Sequence, residues 1–109
     1  MRPDLPIVDA WIQHPTPHFL ADELFASLRR WMGITELPTS IPDAFTIQAL
    51  DDAGVGTALV SAWHGPQGAL LSNDGVAALV ARHPGRLVGL ASVDLRRPMD
   101  AVRELRLRV

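Results

Sequence analysis

Three short apolar runs that alternate with helix-like segments constrain the fold of this chain more than any other feature. The runs are residues 7–12, 57–63 and 87–93, and each is bounded by proline, glycine or charged residues. Strands that are apolar almost throughout are typical of parallel sheets, because helices cover both faces of such a sheet. The runs therefore predict parallel β-strands.

Helical spacing and end signals predict two helices between the first and second runs. The first covers residues 22–32 and ends before Gly33, and the second begins near Ser40 and ends at Gly54. Ser40 is the expected N-cap, since a proline and an acid follow it at positions typical of a helix start. The residues expected to be buried are Leu24, Phe25, Leu28 and Trp31 in the first helix and Ala44, Ile47 and Leu50 in the second.

Two further helices follow the second and third runs. Ser72 or Asn73 caps the first of them, which ends before Pro84, and Arg97 followed by Pro98 opens the second. The residues expected to be buried are Val76, Leu79 and Val80 in the former and Val102, Leu105 and Val109 in the latter. The predicted order of elements is thus β-α-α-β-α-β-α, which favours an α/β fold with a parallel sheet.

The length of the chain bears on which α/β fold this is. A (β/α)8 barrel has about 250 residues, whereas this chain has 109, and its last helix reaches Val109 without a stop signal. We therefore expect residues 1–109 to be the N-terminal portion of one domain, the first three βα units of a (β/α)8 TIM-type barrel. The alternative is a small free-standing domain that closes its sheet edges by self-association.

The composition excludes several classes of function. The chain has no cysteine, which excludes disulfides, thiol catalysis and cysteine metal sites. Its apolar runs are too short for a membrane span, and residues 1–4 do not resemble a signal peptide, so the expected compartment is the cytoplasm. The net charge is -2, and the arginines of the basic C-terminal quarter alternate with leucine and valine. No nucleic-acid partner is therefore predicted.

Polar side chains collect towards the carboxyl ends of the predicted strands, where ligands bind in parallel α/β folds. Strand alternation places one set on a common side: Asp9, Trp11, Gln13, Ser61, Trp63, Ser92 and Asp94. The loops after the first two strands add His14 and His64. The predicted substrate-binding residues are Asp9, Trp11, Gln13, His14, Trp63, His64 and Asp94, and no catalytic residue or metal ligand is assigned.

Several of these residues also have a purely structural interpretation. Asp9 would accept backbone N–H bonds inside a barrel. Trp11 and Trp63 would form core or pocket wall rather than take part in chemistry. His64 is either a general base or a solvated loop side chain.

Residues 7–14 with the proline-rich loop after them, and residues 83–94, resemble the amidohydrolase superfamily. The closer similarity is to the amidohydrolase-related branch that includes aminocarboxymuconate semialdehyde decarboxylase, and it covers the chain but only the first part of that family's barrel. In the family, an aspartate and two histidines end the first strand, and the histidines bind a divalent metal. Asp9 matches the aspartate, Trp11 and Gln13 stand at the histidine positions, and His14 follows one residue late.

The resemblance implies a metal-dependent hydrolase or decarboxylase that acts on a small carboxylated or cyclic substrate, with a zinc-like divalent metal as cofactor. Tryptophan cannot bind a metal and glutamine is a weak ligand, and the family's other site residues come from later strands. This chain alone is therefore not expected to be active. The alternative function is a non-catalytic α/β binding or assembly module that forms homo-oligomers.

Overall fold

The computed structural model describes residues 5–109, which fold around a parallel three-stranded sheet with helices beside it. In chain order the elements are β1 (Val8–Ile12), α1 (Pro17–Ala21), a 3₁₀ turn (Glu23–Phe25), α2 (Ala26–Trp31), α3 (Asp43–Asp52), β2 (Thr57–Ser61), β3 (Trp63–Gly65), β4 (Gly68–Leu71), α4 (Asn73–Arg82), β5 (Leu87–Leu90) and α5 (Pro98–Arg108). Strands β1, β2 and β5 are parallel neighbours in this order, and β3 and β4 form a separate antiparallel hairpin. The predicted α/β class with a parallel sheet is confirmed. Residues 1–4, for which no signal peptide is predicted, lie outside the described residues.

The core lies between one face of the sheet and helices α3 and α4. Ala58 and Val60 of β2 and Leu87 of β5 are almost fully buried at this face. The helices contribute Leu50, Val76 and Leu79. Helix α4 approaches β5 closely at Gly89, where an added Cβ would lie 3.3 Å from Val76 Cγ1. A side chain at position 89 would therefore press against Val76 of α4.

The opposite face of the sheet is left largely exposed. Val88 and Leu90 of β5 are 47% and 36% exposed, and Val8 and Trp11 of β1 are 56% and 60% exposed. Large contiguous apolar patches on a surface commonly mark a place where something else binds. The sheet thus has two apolar faces, of which residues 5–109 cover one.

The segment predicted as one helix over residues 22–32 is divided. Asp22 has an extended backbone, and its carboxylate accepts a hydrogen bond from the Leu24 N–H, so the chain forms a 3₁₀ turn before α2 begins. An additional helix, α1, lies where the sequence predicts a loop. Thr16 caps it by accepting from the Phe19 N–H, and Pro17 is already preorganised for the first helical position.

Two predicted apolar helix faces are not buried, and these predictions are wrong. The exposed residues are Leu24, Leu28 and Trp31 in the first region and Val102, Leu105 and Val109 at the end of the chain. Helix α2 packs mainly on the 3₁₀ turn before it, and α5 buries Ala101 instead of its larger apolar residues. Helical spacing shows that a helix has an apolar face, but it does not show that the chain supplies a partner for that face.

The predicted N-cap is confirmed for α4 and is wrong for α3. Ser72 caps α4, as predicted, because its hydroxyl accepts from the Gly75 N–H at 3.0 Å. Ser40 does not cap α3, whose N-cap is Pro42 without a side-chain hydrogen bond. Among residues 5–109, no helix combines the length and apolarity needed to cross a membrane.

The second and third strands are shorter than the apolar runs that predict them. Strand β2 ends at Ser61 and β5 at Leu90, and Trp63 begins the hairpin β3–β4. The residues predicted as a loop after the second strand form this hairpin. Its turn ends at Gly68, where φ is +125°, a value that favours glycine.

Ion pairs join the basic C-terminal quarter to acids of the preceding sequence. The pairs are Arg82–Asp43 (2.6 Å), Arg86–Asp51 (2.7 Å) and Arg108–Asp74 (2.7 Å). At the first of them, hydrogen bonds from Arg82 and then from His83 lower the pKa of Asp43 to about 2. These arginines of the C-terminal quarter therefore form ion pairs within the fold.

Candidate functional site at the carboxyl edge of the sheet

A cleft of about 390 Å³ lies beyond the carboxyl ends of β2 and β5. Its walls come from the hairpin β3–β4, the start of α4, the segment after β5 and one side of α5. Parallel α/β folds place ligands at this edge, because loops from neighbouring strands converge there. The cleft contains three of the seven predicted binding residues, namely Trp63, His64 and Asp94.

His64 and Asp94 form the central polar pair of the cleft. The His64 Nε2 atom lies 3.6 Å from Asp94 Oδ2, and their side chains are 26% and 20% exposed. This distance is longer than a normal hydrogen bond, so the two groups are close neighbours without a direct hydrogen bond. The fold thus brings together two residues that are far apart in the sequence.

Hydrogen bonds from Arg96 keep Asp94 ionised. Its Nε and backbone N–H both donate to Asp94 Oδ1 at 3.0 Å, and its Nη2 donates to Oδ2 at 3.2 Å. The side-chain and backbone hydrogen bonds from Arg96 lower the pKa of Asp94 to about 2. Asp94 is therefore ionised at neutral pH, and it presents a permanent negative charge to His64.

Trp63 connects the cleft to an aromatic cluster. Its ring centroid lies 5.4 Å from Phe19, 6.0 Å from Trp11 and 6.4 Å from Phe25. Aromatic rings attract each other at such separations. The cleft therefore has a rigid aromatic wall on the side of β3.

A β-bulge separates Asp9 from the site in which the sequence places it. Asp9 pairs in register with Ala58 and Ile12 pairs with Val60, so three steps along β1 match two along β2. Asp9 and Ile12 therefore both face α3, where they border a cleft with Phe45. Trp11 lies on the opposite face, against Trp63, and the predicted common side for Asp9 and Trp11 is not formed.

His14 and Gln13 also lie away from the His64–Asp94 pair. His14 Nδ1 is 2.7 Å from Thr46 Oγ1, and His14 Nε2 donates to the Ile41 carbonyl at 3.1 Å. Both ring nitrogens are thus used to tie the segment after β1 to the start of α3. The Gln13 Nε2 atom is buried and has no hydrogen-bond partner within residues 5–109.

The structure adds polar residues that the sequence analysis does not assign to the site. They include Asn73, Asp74, Arg97, Asp100, Glu104 and Arg108. Asn73 and then Arg108 donate hydrogen bonds to Glu104, which lowers the pKa of that carboxyl group. The sequence signal for Asn73 is weak, since an asparagine beside Ser72 at a helix start is most simply a cap.

The divalent metal implied by the family resemblance does not fit the residues at this edge of the sheet. Trp11 has no lone pair to offer and its ring packs on Trp63, while Gln13 supplies at most an amide oxygen. Within residues 5–109, no three His, Asp or Glu side chains are grouped so that they could hold a metal ion. The chemistry of this site is therefore derived from its own side chains.

Comparison with known proteins was made by family model, by sequence and by structure. No family model, curated protein or solved structure matches the chain. The likeness to the amidohydrolase superfamily therefore depends on the residues quoted for it and stays a prediction.

Proposed function

We propose that the sheet is an arc of a (β/α)8 barrel and that the chain provides part of the substrate pocket of a hydrolase or lyase. Consecutive βα units of a barrel give neighbouring parallel strands, and β1, β2 and β5 are neighbours in that sense. In a barrel, helices cover the outer face and apolar side chains of the inner face pack in layers. The exposed apolar residues Trp11, Val88 and Leu90 would belong to that interior.

The observation that carries the proposed chemistry is the His64–Asp94 pair at the carboxyl edge. The Asp94 carboxylate lies 3.6 Å from His64 Nε2, and shortening of this contact when substrate binds would direct the Nε2–H to Oδ2 and leave a lone pair on Nδ1. Nδ1 then takes a proton from a water molecule or a substrate hydroxyl in the cleft. The imidazolium that forms is stabilised by the carboxylate 3.6 Å away.

The charge of the cleft narrows the substrate class. The groups that border it are four carboxylates, on Asp74, Asp94, Asp100 and Glu104, and two guanidinium groups, on Arg97 and Arg108. Arg97 and Arg108 are paired with these acids, and Arg96 and Arg103 beside the cleft pair with Asp94 and Asp100. A charged substrate would have to displace one partner of these ion pairs, whereas Trp63 offers a flat wall to a ring. Of the expected carboxylated or cyclic substrates, the cleft favours a neutral ring.

An NMR titration with three ring probes tests the site. Benzylamine, benzyl alcohol and benzoate share a phenyl ring and differ in charge. We expect millimolar benzyl alcohol to shift the His64 amide and Trp63 indole signals, and benzylamine and benzoate to shift them much less. His64→Gln should reduce the indole shift, whereas His83→Gln, which changes a histidine at the far end of α4, should not. Shifts that spare both residues, or that are largest with a charged probe, contradict the proposed site.

Self-association is a second candidate function, and the exposed apolar sheet face is the observation that favours it. Residues such as Val88 and Leu90 would be covered equally well by a second copy of the chain. The intact mass of the native product in its source cells separates the two candidates. A mass of roughly 30 kDa, as a whole barrel requires, supports the barrel. A mass of 11.9 kDa, with a sedimentation coefficient that rises with concentration, supports self-association.

A further inference from the structure

Asn73 makes an unusually complete set of contacts for a residue in the first turn of a helix. Its Oδ1 accepts from the Ser92 N–H at 2.8 Å, and its Nδ2 donates to the Ser92 carbonyl at 2.8 Å and to Glu104 Oε1 at 2.9 Å. A planar side-chain amide thus pairs with both backbone polar groups of one residue, as a neighbouring strand would. Because β5 ends at Leu90, this pairing fixes the chain where the sheet no longer does.

Ser92 connects Asn73 to the His64–Asp94 pair. The Ser92 hydroxyl oxygen accepts from the His64 N–H at 3.1 Å, and Asp94 follows Ser92 by two residues. The segment that Asn73 holds therefore positions His64 through a hydrogen bond and Asp94 through the backbone. Both members of the pair depend on the same anchor.

The contacts of Asn73 are not needed to start its helix. Ser72 is the N-cap of α4, and its hydroxyl already accepts from the Gly75 N–H. The Asn73 side chain instead points to the segment after β5 and to α5. Its hydrogen bonds therefore serve the edge of the cleft rather than the end of the helix.

We propose that Asn73 is a positioning residue that sets the geometry of the His64–Asp94 pair through Ser92. The inference rests on the proposed function for the importance of that pair, but it makes a separate structural claim. It requires that the order of the His64 backbone depend on Asn73 and on the Ser92 hydroxyl, and that the centre of the sheet not depend on them.

Hydrogen exchange of single amides tests this claim in the whole chain. In Asn73→Ala and in Ser92→Ala, we expect protection of the His64 amide to fall about five- to tenfold, as the loss of one hydrogen bond implies. Protection of the Leu59 amide in β2 should stay as in the unmodified protein. Ser92→Thr keeps the hydroxyl and should retain His64 protection. Gln48→Ala, which removes an exposed side-chain amide on α3, should leave the His64 amide unaffected.

Two results would overturn the inference. One is unchanged His64 protection in Asn73→Ala, and the other is an equal fall at His64 and Leu59, which would mean that Asn73 stabilises the fold as a whole. Where Asn73→Ala does not fold, Asn73→Asp keeps the Oδ1 acceptor but turns the donor into an oxygen that repels Glu104 and the Ser92 carbonyl. It should give a loss confined to the same segment, and no loss there also overturns the inference.

The outcome is distinguishable from failure of the proposed function. If the ring probes do not shift His64 in the unmodified protein while exchange depends on Asn73, the proposed function is wrong and the anchoring holds. If the probes bind and exchange does not depend on Asn73, only the positioning claim is wrong. If both hold, Asn73→Ala should also reduce the probe-induced shift at His64, and Ser92→Thr should not.

Discussion

The two faces of the parallel sheet are built from the same strands but differ in what they meet. Leu87 is 2% exposed beneath α4, whereas Leu90, three residues later on the other face, is 36% exposed. Both faces are apolar, yet helices α3 and α4 pack on only one of them. The comparison teaches that the stability of the chain comes from the packed face. The apolar residues of the open face are not explained by packing against these helices.

The largest expected effect is a loss of stability, and the same leucine-to-alanine change on each face compares the two faces. Leu87→Ala should lower the free energy of unfolding by about 2–5 kcal/mol, because it leaves a cavity in the packed layer. Leu90→Ala should lower it by less than about 1 kcal/mol, since the side chain already contacts solvent. Urea unfolding followed by circular dichroism measures both values.

The contrast between the leucines also shows whether the open face is covered in solution. Equal losses for Leu87→Ala and Leu90→Ala would break the comparison, because both leucines would then be buried. A cost at Leu90 that grows with protein concentration would favour self-association. An equal cost that does not depend on concentration, in a product of barrel mass, would favour the barrel.

The next effect concerns the two helices that cover the packed face. Ser72→Ala should lower the free energy of unfolding by about 1 kcal/mol, because it removes the side-chain cap of α4. Ser40→Ala should change it by less than about 0.5 kcal/mol, since Ser40 is exposed and α3 begins after Pro42. Thermal unfolding of the two variants side by side measures the difference. A larger loss for Ser40→Ala would mean that Ser40 stabilises α3 after all.

The packed face is also the part of the fold that the sequence predicts best. Short, almost wholly apolar runs identify the strands and their parallel sense. Val76 and Leu79 at helical spacing identify the helix layer over them. Patterns of this kind depend on neighbours within a few residues. Helical spacing predicts burial of the apolar stripes of α2 and α5, but the stripes are exposed. The pattern contains no information on whether a partner for them exists.

The candidate site is less predictable, because it depends on where strands stop and on one inserted residue. The bulge in β1 reverses the face on which Asp9 lies, and strict alternation cannot detect it. The sequence places Trp63, His64 and Asp94 at the carboxyl edge, since they follow recognisable strands. Asn73 is not predictable in its role, because its partner Ser92 lies in a segment whose path the sequence does not define.

The smallest effect expected here depends on pH and concerns the ion pair between α3 and α4. The pKa of Asp43 is lowered from 3.8 to about 2, chiefly by hydrogen bonds from Arg82. A lowered pKa means that the carboxylate stabilises the fold above about pH 4 and loses this contribution as the pH falls towards 2. Asp43→Asn should therefore cost less than about 1 kcal/mol at neutral pH, because Arg82 is half exposed.

The pH dependence identifies the source of this stabilisation. The gap between Asp43→Asn and the unmodified protein should close between pH 4 and pH 2 in urea titrations, while Asp52→Asn on the exposed end of α3 should show a smaller gap at every pH. A gap that persists at pH 2 would mean that the carboxylate charge is not what Asp43 contributes. Since Asp43 also lies in the first turn of α3, where a negative charge is favourable, Arg82→Gln completes the test. His83 also bonds to Asp43, so the decisive background is Arg82→Gln combined with His83→Gln. If these side-chain contacts dominate, Asp43→Asn should have little further effect in that background. An undiminished effect would assign the stabilisation to the helix end, and the ion pair would then not help to hold α3 and α4 on the packed face.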